Sequence, residues 1–313
     1  MNTNASSEIL LSLTTLDLSS SQVYPAFVLG TLAYIIIAFC NLLLLTVIVT
    51  VKKLRKPMHF LLLNLPISDT IGATAFYPQL LSFIVTGNKM ISYPACVTQA
   101  FFIHFYGTGN LLILSAMSYD RYIAICCPLR YNAIMNPNNV IIIITLIWLI
   151  NVSLILILIL LLVRFKMCRT NIVDLYCNNP SLLKLVCEDT AVNNYYGVAA
   201  IIFCQGGSLL IIMYTYAQIL RTCVMTNQTD GRKKAIQTCG THLVVYLILQ
   251  ISTAVTLTAH RIESISSTTR KALGVLILVF PPFLDPIIYG LKTAEVKHSI
   301  MMLLKRKLSL TEQ

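Results

Sequence analysis

Charge is what this sequence has least of. Asp, Glu, Lys and Arg make up 11% of its 313 residues and apolar residues 57%, where an ordinary soluble domain carries about 25% charge. A single soluble core stops growing near ~250–300 residues, so a chain this apolar is not expected to be a soluble domain and calls for a bilayer as solvent. Internal repeats are absent, which argues against transporters built from duplicated halves. There is no nucleotide-binding loop, no zinc-type Cys/His spacing, no Gly-x-Ser-x-Gly elbow and no hydrolytic or redox constellation, so neither an enzyme nor a cofactor is expected. No basic residue precedes the first apolar run, so a cleavable signal peptide of the usual form is not expected. The run that begins near Tyr24 is instead expected to insert the chain and to remain in it.

What is there is a series of apolar runs. A hydrocarbon core of ~30 Å needs ~20 helical residues to cross it, and seven runs qualify: Tyr24–Val51, Met58–Val85, Cys96–Ile125, Val140–Val163, Gly197–Leu220, Ala235–Ala259 and Ala272–Leu291. The second carries Pro66 and Pro78, and the seventh Pro281, Pro282 and Pro286. Neighbouring helices can satisfy the carbonyls that such prolines free, so both runs read as kinked spans. The expected fold is an all-α, seven-helix membrane bundle, with 1–23 as an outer tail, 24–291 as the bundle and 292–313 as an inner amphipathic helix and tail. The net charge of +11 does not imply nucleic acid, because the basic residues lie between the apolar runs. With the N-terminus outside, the inner segments hold 15 Lys and Arg and the outer segments eight, which favours N-outside, C-inside. Lys52, Lys53, Arg55 and Lys56, directly after the first run, weigh most. Asn4-Ala5-Ser6 is then an outer glycosylation sequon.

Four of the ten cysteines, Cys96, Cys168, Cys177 and Cys187, fall outside. Two disulfides are expected among them, with three pairings open. The longest loop, Arg164–Tyr196, holds three of the four, and cross-linking it would fix it as a lid over the bundle. After the seventh run, Val296, Ile300, Leu303 and Leu304 share one helical face, as in an amphipathic helix on the inner leaflet.

Ionisable side chains at membrane depth are candidate functional groups. Asp69 is in the middle of the second run and Asp285 in the seventh, directly before Pro286; if close, they would share a proton or bind a cation such as sodium. Asp120 and Arg121 close the third run. Tyr216 and Tyr289 lie toward the inner ends of the fifth and seventh, and an arginine able to exchange partners makes a bistable element. The bland alternative is an interfacial arginine with no switching role.

Four motifs in order add a resemblance. Met117-Ser118-Tyr119-Asp120-Arg121-Tyr122-Ile123-Ala124-Ile125-Cys126 with Pro128-Leu129-Arg130-Tyr131 closely resembles the signature of olfactory (odorant) receptors, a family of rhodopsin-like G-protein-coupled receptors. Lys56-Pro57-Met58-His59-Phe60-Leu61, Lys234-Ala235-Ile236-Gln237-Thr238-Cys239-Gly240-Thr241-His242 and Pro282-Phe283-Leu284-Asp285-Pro286-Ile287-Ile288-Tyr289 are similar to the family's starts of helices two and six and its helix-seven motif. The resemblance implies a plasma-membrane receptor for a small-molecule odorant, coupled to a stimulatory heterotrimeric G protein of the olfactory type that raises cyclic AMP. It implies Arg121 as the switch, with Asp120 and Tyr122 beside it and Tyr216 and Tyr289 as its partners when active. Asn41, Asp69 and Asn110 would form a central polar network. The pairings implied are Cys96–Cys177 and Cys168–Cys187. Asp285 stands where the family usually has asparagine, Asn110 where it often has an acid and Gln250 where it usually has tyrosine.

In that fold, ligands bind between helices in the outer half. His104 lies 17 residues before Arg121, ~25 Å along a helix, with Gly107 and Thr108 one turn deeper. Arg261 ends the sixth span. Helix phase adds Ala200, Cys204, Thr253 and Leu257, the alignment with the family's helix six adds Gln250, and His104 with Arg261 is expected to engage a polar or anionic group such as a carboxylate. The rival readings are a rhodopsin-like receptor for a non-odorant ligand and, from another class, a transporter or channel; the absence of a charged pore ring speaks against the latter.

Overall fold

The computed structural model describes residues 9–14, 18–225, 229–262, 264–292 and 295–302, without the side chains of 229–238 and 291–292. Asn4, Leu303 and Leu304 lie outside the described residues. The helices run α1 (Ser20–Thr50), α2 (Pro57–Leu62), α3 (Asn64–Thr86), α4 (Tyr93–Cys126), α5 (Tyr131–Ile134), α6 (Pro137–Val163), α7 (Asn179–Leu183), α8 (Ala191–Ile201), α9 (Gly207–Met225), α10 (Thr229–Ala259) and α11 (Ser267–Lys292). Together α2 and α3 form the second span, and α8 and α9, joined by a π-helical turn at Ile202–Gly206, form the fifth. The short α5 and α7 lie in loops. Most spans begin a few residues earlier than the apolar runs do, because polar caps and prolines extend a helix beyond its apolar stretch. At α6, Asn136 Oδ1 accepts from the Asn139 N–H (2.9 Å) and Pro137 occupies the first turn, where its missing N–H costs nothing. At α3 the end is set by Gly87 at φ 66°, the left-handed conformation that suits glycine.

Six helices among the described residues are long and apolar enough to cross a membrane. The exception is the second span, whose polar residues Asn64, Ser68 and Asp69 face inward and are buried. Its break at Leu63 precedes Pro66, whose missing N–H leaves the carbonyl of Leu62 without its helical partner. The hub is α4, which packs against α3, α6, α9 and α10. Its most apolar window is 56% buried, whereas those of α1 and α6 are 28% buried, so α4 is the central helix and the other two are largely outward-facing. Two of the three prolines of α11 are compensated by neighbours. Pro281 frees the carbonyl of Ile277, which accepts from Tyr106 Oη at 3.1 Å, and Pro286 frees that of Pro282, which accepts from Asn41 Nδ2 at 2.9 Å.

The two ends are called outer and inner after the orientation that the lysine and arginine distribution favours. The outer end carries Cys96–Cys177 and Cys168–Cys187. It also carries a small sheet that the sequence reading did not anticipate. Strand β1 (Leu10–Leu13) lies between β2 (Met90–Ser92, antiparallel) and β3 (Asn171–Ile172, parallel). Leu11 and Leu13 are 0% and 1% exposed and join a core with Ile91, Cys96, Ile172 and Cys177, so part of the tail is structure. At the inner end residues 295–302 are helical. Val296 is buried, Ile300 packs on the main core, and Lys56 Nζ meets Glu295 Oε1 at 2.5 Å.

Candidate ligand-binding site and switch

A cavity of about 120 Å³ lies between α4, α6, α8, the π-turn and α10, beneath the long loop. Its wall includes eight of the nine positions expected to bind ligand: His104, Gly107, Thr108, Ala200, Cys204, Thr253, Leu257 and Arg261. The ninth, Gln250, is not on the wall. It is buried below the cavity, where its Nε2 donates to the Gln205 carbonyl (3.3 Å) and its Oε1 accepts from Ser208 Oγ (3.4 Å). Sequence reasoning missed Tyr176, Asn178, Asn179, Gln205 and His260, all of which line the cavity. The first three come from the loop, whose course no periodicity reveals.

The roof is built from bonds that side chains make to the backbone and to one another. His104 Nε2 accepts from the Asn179 N–H at 3.2 Å, which in the neutral ring leaves the proton on Nδ1. Asn179 Nδ2 donates to Asn193 Oδ1 (2.9 Å), and Asn193 Nδ2 donates to the Leu158 carbonyl (3.1 Å). Gln99 Oε1 accepts from the Cys177 N–H at 2.8 Å. Tyr176 reaches across to α11, where a Cβ on Gly274 would lie 2.6 Å from its hydroxyl, so only glycine admits the loop at this approach. Asp174 accepts from Ser181 Oγ and from Asn178 Nδ2, and faces His260 Nε2 at 3.6 Å. Burial pushes the Asp174 carboxyl up, but its contacts with His260, Ser181 and Asn178 outweigh that and hold it below its ordinary value.

Half-way through the bundle, Asp69 is fully buried and its Oδ1 accepts from Asn110 Nδ2 at 2.6 Å. Asp285, in α11, is likewise buried. Asp69 Oδ2, Asp285 Oδ2, Asn110 Oδ1, Asn41 Oδ1 and the Tyr289 hydroxyl have no protein partner among the described residues. Such a group of orphaned oxygens is what water or a hard cation would satisfy. Clusters of three or more His, Cys, Asp and Glu able to hold a metal are absent among the described residues.

At the inner end, Asp120 is fully buried. It accepts from Arg121 through Nε at 3.0 Å and through Nη2, and from Tyr131 Oη at 2.9 Å. Tyr216 does not touch Arg121 here: its hydroxyl donates to the Cys239 carbonyl at 2.7 Å and pairs with His242 Nδ1 at 2.9 Å. Arg121 is thus paired with Asp120, while Tyr216 is held by α10. Tyr131 and His242 were not singled out from sequence, although both stand inside quoted motifs. Tyr122 stacks edge-on against Tyr214 at 5.9 Å.

These features, a hub helix with a charged inner end and a cavity at its outer end, define the seven-helix fold of the rhodopsin-like receptors. The chain superposes on squid rhodopsin with a TM-score of 0.76, over 96% of this chain and 92% of that one, at 16% identity. Residues 30–307 match the family model described as olfactory receptor. Human olfactory receptor 52H1 is 34% identical over 87% of this chain and 88% of its own length, and mouse olfactory receptor 1M1 is 33% identical over 98% and 97%. The chain belongs to the olfactory receptor family. It is thus a multi-pass membrane protein and a G-protein-coupled receptor, not an enzyme.

Proposed function

We propose that this receptor is activated by a small odorant bound in the outer cavity, and that it sits in the plasma membrane with its N-terminus outside and its C-terminus in the cytoplasm. The observation that carries the reading is the cavity itself. It lies between helices in the outer half, bounded by the hub helix α4 and by α6, α8, the π-turn and α10, and its walls are mostly apolar. An apolar cavity of ~150 Å³ accommodates benzene, so about 120 Å³ suits a molecule of a few carbons. His104 and Arg261 on the outer wall support a polar or anionic headgroup there, such as a carboxylate. The orphaned oxygens of Asp69, Asp285 and Asn110 fit a shared proton or a sodium ion.

Ligand binding would shift a pre-existing equilibrium. In the active state Arg121 exchanges Asp120 for Tyr216 and Tyr289, opening the inner face around Pro128–Met135 and the inner end of α10 to a stimulatory G protein that raises cyclic AMP. The test is cyclic AMP output in cells that carry an olfactory-type G protein, against a panel of acids, amines, alcohols, ketones and aldehydes. At least one class should respond. Ala200→Trp should abolish the response by filling the cavity, and Arg121→Ala should abolish signalling with surface expression retained. A response that survives Ala200→Trp removes the cavity from the mechanism, and signalling that survives Arg121→Ala removes the switch.

A further inference from the structure

The fifth span departs from α-helical winding at one place, the π-turn Ile202–Gly206, and such turns gather at functional sites. Gln205 lies in that turn, lines the cavity and is only 8% exposed. Its backbone carbonyl is doubly engaged, accepting from Ser208 Oγ at 3.0 Å and from Gln250 Nε2 at 3.3 Å. Its side-chain Nε2, in contrast, is shielded from solvent and has no hydrogen-bond partner among the described residues. A buried amide donor left unmade is unfavourable, and the asymmetry favours any arrangement that supplies an acceptor. Thr253, on the same wall, has its hydroxyl committed to the Leu249 carbonyl at 2.7 Å. Gln205 is level with Gln250, which is 11 residues inward of Arg261, or about 16 Å along a helix. This end of the cavity is therefore distinct from the one that His104 and Arg261 border.

We propose that the Gln205 side-chain amide is an inner docking point for an acceptor oxygen of the ligand, such as a carbonyl. The contact reaches the sixth span because the residue that meets the ligand also holds Gln250 through its own carbonyl. A ligand that draws on the Gln205 amide shifts the π-turn and so disturbs the bond that ties α10 to the fifth span. The inference rests on the outer cavity being the ligand site, and it adds the chemistry that the cavity selects.

The experiment uses the full chain, cyclic AMP output and two pairs of probes in which a carbonyl oxygen is replaced by an isosteric methylene. One pair is neutral, 2-pentanone with 2-methyl-1-pentene; the other is anionic, 4-oxopentanoate with 4-methylpent-4-enoate. In the wild type the oxygen-bearing member of a responding pair should be about tenfold more potent, one good hydrogen bond's worth. Gln205→Met should abolish that preference. Gln205→Glu should invert it, because a carboxylate offers lone pairs where a donor is needed, and Gln205→Asn should weaken it if the methionine variant fails to reach the surface. Gln250→Leu should keep the preference in potency and lower the maximal response. Equal potency within both pairs, or a preference that survives Gln205→Met, overturns the inference. If Ala200→Trp abolishes responses while Gln205→Met leaves the preference intact, the cavity stands and the Gln205 assignment falls. If Ala200→Trp leaves responses intact, both fall. A wild-type receptor at the surface that answers none of the four probes, and that as purified protein is not thermally stabilised by any, also overturns it.

Discussion

The outer and inner halves of this receptor are held by different kinds of bond. At the outer end two disulfides, a three-stranded sheet and a chain of side-chain amides fix the loop over the cavity. At the inner end Asp120 and Arg121 pair within the third span, Tyr131 of the following loop bonds Asp120, Thr222 meets Cys126 between the fifth and third spans, and the fifth and sixth meet through Tyr216 with His242 and the Cys239 carbonyl. Covalent and strand contacts hold one geometry, whereas an ion pair can exchange one partner for another at a cost of a few kcal/mol. A pocket that must recognise a small molecule gains from the first kind, because preorganisation reduces what binding must order. A surface that must open for a partner needs the second.

That contrast can be broken in three places, taken in order of effect. Cys177→Ala removes a cross-link spanning 81 residues, which the loop-entropy relation values at about 4.5 kcal/mol; little receptor should reach the cell surface when a tagged chain is counted by flow cytometry. Surface levels equal to wild type would mean that the sheet and amides suffice. His242→Leu works on the other half. It removes one of the two bonds that hold Tyr216 to α10, leaving the one to the Cys239 carbonyl, and losing one such bond of ~1 kcal/mol shifts a two-state balance about fivefold. Basal cyclic AMP should rise by that order, and unchanged basal output would place the restraint elsewhere. The smallest effect concerns Asp174. A carboxyl whose folded-state affinity for protons is depressed stabilises the fold above its ordinary value of 3.8 and stops doing so as pH falls through the lower folded value. The melting temperature of the purified receptor should therefore drop below pH 3.8 more steeply in the wild type than in Asp174→Asn, and parallel curves would show that Asp174 does not anchor the roof.

What could be read from the sequence follows the same division. The spans, the proline compensation and the wall of the cavity come from periods of 3.6 residues and the ~30 Å thickness of a bilayer, so positions such as His104 and Leu257 fall out of phase counting. Strand β1 escaped because four residues in a polar tail form a strand only through partners some 80 and 160 positions away. The roof residues Tyr176, Asn178 and Asn179 escaped because loop placement is set by the disulfides rather than by periodicity. Gln205 escaped for a local reason: the π-turn inserts about one extra residue and rotates the helix beyond it by roughly 100°. Gln250 was expected from alignment with the family's helix six rather than from phase, and its side chain is engaged with Gln205 and Ser208. Asp120 and Arg121 were legible as a pair, yet the tyrosine that also bonds Asp120, Tyr131, lies in the loop that follows.

The prolines of the last span bear on how the chain is made. Ribosomes deliver the spans to the membrane in order, and α11 arrives last with rungs of its ladder missing, those of Ile277 and Pro282 among them. An unpaired carbonyl in hydrocarbon is costly. The donors that serve these two, Tyr106 and Asn41, belong to the third and first spans and are already in the bilayer when α11 emerges. The helix least able to stand alone is thus the one synthesised when every partner is waiting, and its docking closes the bundle.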